Sequence, residues 1–243
     1  MKLKKILLTL IIFLIGGLGG ILLPSVFARL SGRGDDRTTI INKTEQVIIS
    51  QDIATEKAYQ KNSASLVYIA GNPRTMRAEQ SSYDGQAAVA RGMGFIVGSD
   101  GLILTRREWV PSGGGAVSAV VGSETLPAKI VKRSDESGLV LLKVERSNLP
   151  VVSFAPLEDK NIGANVFLIG FKQLSSGAAR FVNAGILKNK DGAMWETNIK
   201  EDLKLATGTP LINLNGDVVG INAVNSAGYV FTIPSDVIKK FIY

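Results

Sequence analysis

Along most of the chain, apolar and polar residues alternate with a period of two, and the alternation is broken by short clusters of Gly, Asn, Asp and Ser. This is the signature of β-strands with one face buried and one solvated, separated by tight turns. It predicts strands at Ser65–Ala70, Gly92–Val97, Leu102–Arg107, Val117–Val121, Ala128–Arg133, Leu139–Val144, Asn165–Gly170, Arg180–Leu187, Ala193–Thr197, Pro210–Leu214, Asp217–Ala223 and Tyr229–Ile233. Turn signals separate them at Ser99-Asp100-Gly101, Gly113-Gly114-Gly115, Lys190-Asp191-Gly192 and Asn215-Gly216. Many short strands at this spacing imply an all-β antiparallel barrel or sandwich. The period lengthens only twice. Asp52–Ser63 reads as a short helix capped by Asp52. Ser235–Ile242 reads as a helix capped by Ser235, with Val237, Ile238, Phe241 and Ile242 on its apolar face.

The first residues follow a different pattern. Ile6–Leu23 is apolar except for Thr9, and with Pro24–Ala28 the stretch reaches the roughly 20 residues a bilayer-spanning helix needs. Lys2, Lys4 and Lys5 precede it and would hold that end in the cytoplasm, which places the remainder outside. Val26-Phe27-Ala28 also offers a cleavage context, so a removed signal peptide is the competing reading. The expected division is an anchor at 1–28, a linker and extension at 29–62, and a β domain at 63–243. Thr44–Ser50 is read as extended, and the polar stretch Gly71–Arg91 as an exposed loop.

Composition narrows the chemistry. With 243 residues the chain can hold a membrane segment and one domain of about 200 residues. There are no cysteines, which removes disulfide and thiolate chemistry, and no histidines. The second absence takes away the usual general base of hydrolases and the commonest metal ligand. The formal charge of +7 accompanies no basic helix or basic–aromatic ladder, so nucleic acid is not an expected partner. Lys172, Arg180, Lys188 and Lys190 are read as a solvated face rather than a lipid-headgroup site. Asp35-Asp36 and Asp135-Glu136 lack the ligand count of a calcium loop, so neither metal nor cofactor is expected.

Three collinear blocks add a specific resemblance. Gly92–Val110 reads GMGFIVGSDGLILTRREWV, Ser134–Glu145 reads SDESGLVLLKVE, and Leu205–Ala223 reads LATGTPLINLNGDVVGINA, continued by GYVFTIP at Gly228–Pro234. They resemble the trypsin-like protease domain of the bacterial HtrA/Deg family, in which the first block contains Leu-Thr-Asn-x-His-Val-Val and the third Gly-Asn-Ser-Gly-Gly-Pro-Leu. The resemblance implies two six-stranded antiparallel barrels, about 63–148 and 149–243, with a short C-terminal helix and a cleft between the barrels. It implies a His–Asp–Ser triad, for which this sequence has Glu108, Gly138 and Thr207. It implies an oxyanion hole from the backbone N–H groups of two residues, here Leu205 and Thr207, with Leu205 standing where the family has glycine. An extended substrate would pair beside Ile221, Asn222, Ala223 and Val224. Family members often carry a C-terminal PDZ module; the sequence ending at Tyr243 leads us to expect none.

These replacements are chemically costly. Attack on an amide needs a group that takes the hydroxyl proton and returns it to the leaving amine near neutral pH. A carboxylate at position 108 is not suited to that exchange, Gly138 has no side chain to orient a base, and the extra methyl of Thr207 restricts χ1. The expectation is a membrane-anchored, extracytoplasmic, inactive protease homologue that binds or scaffolds peptides. Its partners would be unfolded polypeptides, an active paralogue or further copies of itself. The alternative is a hydrolase that uses Thr207 with Lys204 or Glu108 by a non-standard mechanism.

Overall fold

The computed structural model describes residues 53–71, 90–112, 116–156, 161–174, 177–190 and 193–243. Strands β1 (Leu66–Gly71), β2 (Ala90–Gly98), β3 (Leu102–Arg106), β4 (Val117–Val121), β5 (Glu124–Arg133) and β6 (Leu139–Val144) close a first antiparallel barrel in the order β1-β2-β3-β6-β5-β4. Strands β7 (Asn165–Leu174), β8 (Gly177–Asn189), β9 (Trp195–Lys200), β10 (Pro210–Asn213), β11 (Val218–Val224) and β12 (Tyr229–Pro234) close a second in the order β10-β11-β12-β9-β8-β7. Both barrels implied by the resemblance are therefore present, and every strand read from the alternation is found. Closure leaves few open edges, the usual liability of such sheets.

Burial explains where the alternation gives way to continuous apolar runs. Along β6, Val140, Leu142 and Val144 point into the first barrel, while Leu139 and Leu141 join a cluster shared with the second. Along β7, Val166 and Leu168 fill the second barrel, and Phe167 and Ile169 face the shared cluster. Strands buried on both faces lose the polar half of their pattern. Phe95, Leu104, Phe167, Ile169 and Ile221 are almost wholly buried at this junction, each contributing roughly 1.5–3 kcal/mol of hydrophobic stabilisation.

The connection between barrels is stitched to both. Leu149 N–H donates to Ser99 O and Val152 N–H to Ile96 O on the first, and then Ala155 N–H donates to Val218 O and Val218 N–H to Ser153 O on the second. Helix α1 (53–63) lies at the N-terminal side. It docks on the β10–β11 turn, where Lys61 Nζ meets Asp217 Oδ1 at 2.8 Å and buried Asn62 donates to Gly216 O at 2.9 Å. The folded body thus reaches N-terminally of Ser63. That turn spans Leu214–Gly216, with Gly216 at φ 77°, a conformation glycine adopts without penalty.

Several expectations change in detail. The C-terminal helix (Ser235–Ile242) begins with Pro234 at its N-cap. Ser235 is buried and donates to Ala155 O at 3.5 Å instead of capping. The segment before β10, to which the sequence pattern assigns no element, contains a one-turn helix, α2 (Leu203–Ala206), so the C-terminal helix is α3. β7 and β8 continue past their expected ends as a paired ribbon, Phe171↔Arg180 to Leu174↔Gly177. The expected membrane helix, the extended stretch Thr44–Ser50 and most of the loop Gly71–Arg91 lie outside the described residues. Among the described residues, no helix is long and apolar enough to cross a membrane.

Candidate active site

The first-barrel half of the site is built where β3 ends. Arg106 pairs with Leu139 across the β3–β6 ladder, and the chain then turns through a 3-10 segment, Arg107–Trp109. Glu108 stands on that turn and Gly138 faces it, with Arg107 N–H donating to Gly138 O at 2.9 Å. Arg106 is only 6% exposed. Its Nη1 donates to Ser137 O at 2.7 Å and its Nη2 to Glu108 Oε1 at 3.0 Å. A Cβ built on Gly138 would lie 3.1 Å from Nη2 and 3.2 Å from Nη1. The guanidinium therefore occupies the space into which a side chain at 138 would project. Gly138 also has φ 67°, which most side chains disfavour. Where the family pattern has an acid beside a base, this chain has a cation beside a carboxylate. Arg106 Nε and Glu108 Oε2 are buried without a hydrogen-bond partner.

The second-barrel half differs in its backbone. Asp202 caps α2 by accepting from Lys204 N–H at 2.8 Å. Leu205 N–H and Ala206 N–H both donate to Asp202 O, and Thr207 N–H donates to Leu203 O, each at 3.0 Å. The two N–H groups at the oxyanion-hole positions, Leu205 and Thr207, are thus engaged inside the helical turn. Thr207 is 2% exposed, and its Oγ1 is buried without a hydrogen-bond partner. The hydroxyl bonded within this loop is that of Thr209, which donates to Ala206 O at 2.6 Å and accepts from Asn222 Nδ2 at 3.0 Å. Lys204 is exposed.

Trp109 joins the halves. It is 2% exposed, and its Nε1–H donates to Thr207 O at 2.8 Å. Two glycines make the fit possible. A Cβ on Gly92 would fall 2.0 Å from the indole, and one on Gly208, already at φ 87°, would fall 2.1 Å from Met93 O. Tyr68 and Phe171 stack across the two barrels with centroids 4.6 Å apart.

The four residues expected to face an extended peptide divide into two pairs. Ile221 and Asn222 are fully buried. Ile221 pairs with Pro210, and Asn222 exchanges bonds with the loop, its N–H donating to Thr209 O and its C=O accepting from Gly208 N–H. Ala223 and Val224 are half-buried and run past the end of β10, paired with Phe231 and Val230 of β12 on their other side. Backbone direction alternates along a strand, so the Val224 N–H and C=O point the same way as those of Asn222, toward the side β10 no longer covers. Asn225–Gly228 forms a turn closed on β12 through Asn225 N–H to Tyr229 O.

Glu108 and Gly138 are thus brought together around Arg106, and Thr207 is tied to this half through Trp109. Arg106 was not singled out by sequence reasoning. Its signal was paired: an arginine where the family pattern has Asn, and a glycine where it has the acid. The α2 turn also had a signal, since Asp202 followed by Leu-Lys-Leu-Ala is a capped run of good helix formers. Among the described residues, no three acidic side chains converge as metal ligands would.

Comparison with known proteins places these features in context. A family model described as a trypsin-like peptidase domain matches residues 92–221. A protein of Hahella chejuensis named "Probable periplasmic serine endoprotease DegP-like" is 34% identical over 165 residues, covering 63% of this chain and 34% of that protein. A protein of the same name from Pseudomonas putida is 32% identical over 178 residues, covering 68% of this chain and 36% of its own length. "Serine protease HTRA1" of Xenopus tropicalis is 31% identical over 167 residues, covering 65% and 36%. The chain spans about a third of the length of these curated relatives. Among solved structures, the serine endoprotease from Yersinia pestis superposes with a TM-score of 0.63 at 21% identity, over 77% of this chain and 64% of that one, a likeness of fold.

Proposed function

The chain belongs to the family of trypsin-like peptidase domains, on its HtrA/Deg branch, and from that premise we propose that it is a member in which catalysis has given way to binding. One observation carries the reading: the N–H groups of Leu205 and Thr207 are both spent inside α2. Two such donors stabilise the developing oxyanion in acyl transfer, and each is worth roughly 3–4 kcal/mol of barrier. The engaged donors, a buried Thr207 without a basic partner and an ion pair at positions 106 and 108 all support the same conclusion.

Binding does not need the triad. An extended peptide can add as a strand beside Ala223 and Val224 through backbone groups alone, with side-chain pockets refining the choice. The domain is extracytoplasmic in this proposal, in keeping with the periplasmic naming of its relatives, and the apolar stretch Ile6–Leu23 anchors it. Unfolded segments or an active protease of the same family are the partners such an edge suits.

The test is to incubate the full chain, in mild detergent, with unfolded casein and a fluorophosphonate probe, beside Thr207→Ala and an active relative. We expect neither adduct nor cleavage from this chain. An adduct and cleavage that disappear in Thr207→Ala would make Thr207 a nucleophile and overturn the reading. The binding half is tested with a library of extended peptides followed by NMR. Val224→Pro, which removes the N–H on the open edge, should abolish the shifts seen with the unmodified chain.

A further inference from the structure

We propose that Arg106 is the positioning residue that retires the first-barrel half of the site. It captures whatever acid is nearest, and so keeps any group at position 108 from being paired and oriented as a base. The proposal rests on the reading of the chain as a non-catalytic member. It goes further by naming a residue that acts on whatever group stands at 108 or 138.

Three observations converge on it. First, the guanidinium is almost fully buried and spans both positions, with Nη1 on Ser137 O at 2.7 Å and Nη2 on Glu108 Oε1 at 3.0 Å. Second, the Cβ position at Gly138 is 3.1 to 3.3 Å from Nη2, Nη1 and Cζ. A carboxylate extended from that Cβ would meet the guanidinium before it reached residue 108. An Arg–carboxylate contact is a strong charge-assisted pair, so an acid restored at 138 would be held by Arg106. Third, the loop is held from several sides. Arg107 N–H donates to Gly138 O and Arg107 Nη1 to Asp135 O, and Ser134 N–H donates to Leu139 O. Arg107, Asp135 and Glu136 are exposed, and half-buried Arg133 at the end of β5 directs its Nη2 to Pro111 O at 2.7 Å, so Arg106 is the buried cation bonded to residue 108.

The consequence concerns a base placed at 108. A histidine there would sit against a fixed positive charge, which disfavours its protonated form. Serine-protease chemistry needs the reverse, an acid that holds the imidazole and stabilises the imidazolium. In this chain the charge is inverted.

The absence of histidine from the sequence makes the test direct, because one introduced imidazole gives one assignable NMR signal. Glu108→His in the full chain should titrate about one unit or more below the ordinary histidine value of about 6.5. Adding Arg106→Asn, which restores the residue of the family pattern, should bring it back to that value. With Gly138→Asp also present, the form that keeps Arg106 should stay low, since Arg106 holds the new acid. The form that carries Arg106→Asn should rise above the ordinary value as the new acid and the imidazole pair. If the imidazole titrates at the same pH with and without Arg106, the proposal fails. Should the Gly138→Asp variants not fold, the two Glu108→His variants decide the matter alone. Probe labelling of the unmodified chain bears only on the non-catalytic reading, so failure of that reading is distinguishable from failure of this one.

Discussion

The two halves of the site are set by different means, the first by its side chains and the second by its backbone. In the first barrel β3 pairs with β6, the 3-10 turn follows, and Arg107 N–H bonds Gly138 O beside Glu108. The change lies in the side chains, where Arg106 and Glu108 place a cation and an acid in reversed order. In the second barrel a hydroxyl stands at Thr207, and the loop backbone is wound into α2, whose turn engages the N–H groups of Leu205 and Thr207. In the proposed reading the side chains at 106, 108 and 138 supply no proton relay. In the proposed reading the α2 turn withholds the oxyanion donors while a hydroxyl remains at Thr207. Either alone would cost a hydrolase several orders of magnitude in rate.

Substitutions at Trp109 and Leu205 probe the link between the halves and the second half itself, and one at Lys143 gives a contrast away from the site. Trp109→Ala should be the most severe, because it removes both the link between the halves and a buried indole, and leaves Thr207 O without its donor. We expect a loss of about 3–5 kcal/mol in urea unfolding, with α2 amides exchanging faster. A change under about 1 kcal/mol, far below the usual cost of emptying such a site, would show that the halves are not coupled through this residue. Leu205→Gly addresses the second half alone. Glycine in a helical turn costs about 1 kcal/mol, so the amides of Ala206 and Thr207 should lose protection in hydrogen exchange while those of the Arg107–Trp109 turn do not. Unchanged protection at Thr207 would mean the turn is imposed by its surroundings rather than by its sequence.

The smallest effect comes from an ion pair away from the site, which serves as a contrast to Arg106–Glu108. Lys143 Nζ lies 2.8 Å from Asp100 Oδ2 in exposed surroundings, and its hydrogen bond holds the Asp100 carboxyl below its ordinary value. A folded-state value below the unfolded one stabilises above the ordinary carboxylate range of about 3.9 and is lost as pH falls through the folded value. Lys143→Met should therefore lower stability slightly and evenly above about pH 4, and the two profiles should converge as pH falls through the Asp100 titration, which flattens the acid limb. A large loss at pH 7 would contradict this.

The positions of the strands, the turn at Asn215-Gly216 and the identities at 108, 138 and 207 were legible in the chain before any fold was known. These are carried by local patterns: a period of two along each strand, glycine where φ is positive, and motif spacing within single blocks. The α2 turn was not read, although Asp202-Leu203-Lys204-Leu205-Ala206 is a capped run of helix formers, because the glycine that follows suggests a loop. What those residues do together came from the packing of the barrels. Arg106 reaches Gly138 because β3 and β6 are paired, and Trp109 reaches Thr207 across 98 positions of sequence because the two barrels meet there. Neither contact leaves a period or a spacing in the chain, since each depends on which side chain fills a space that a distant glycine leaves open.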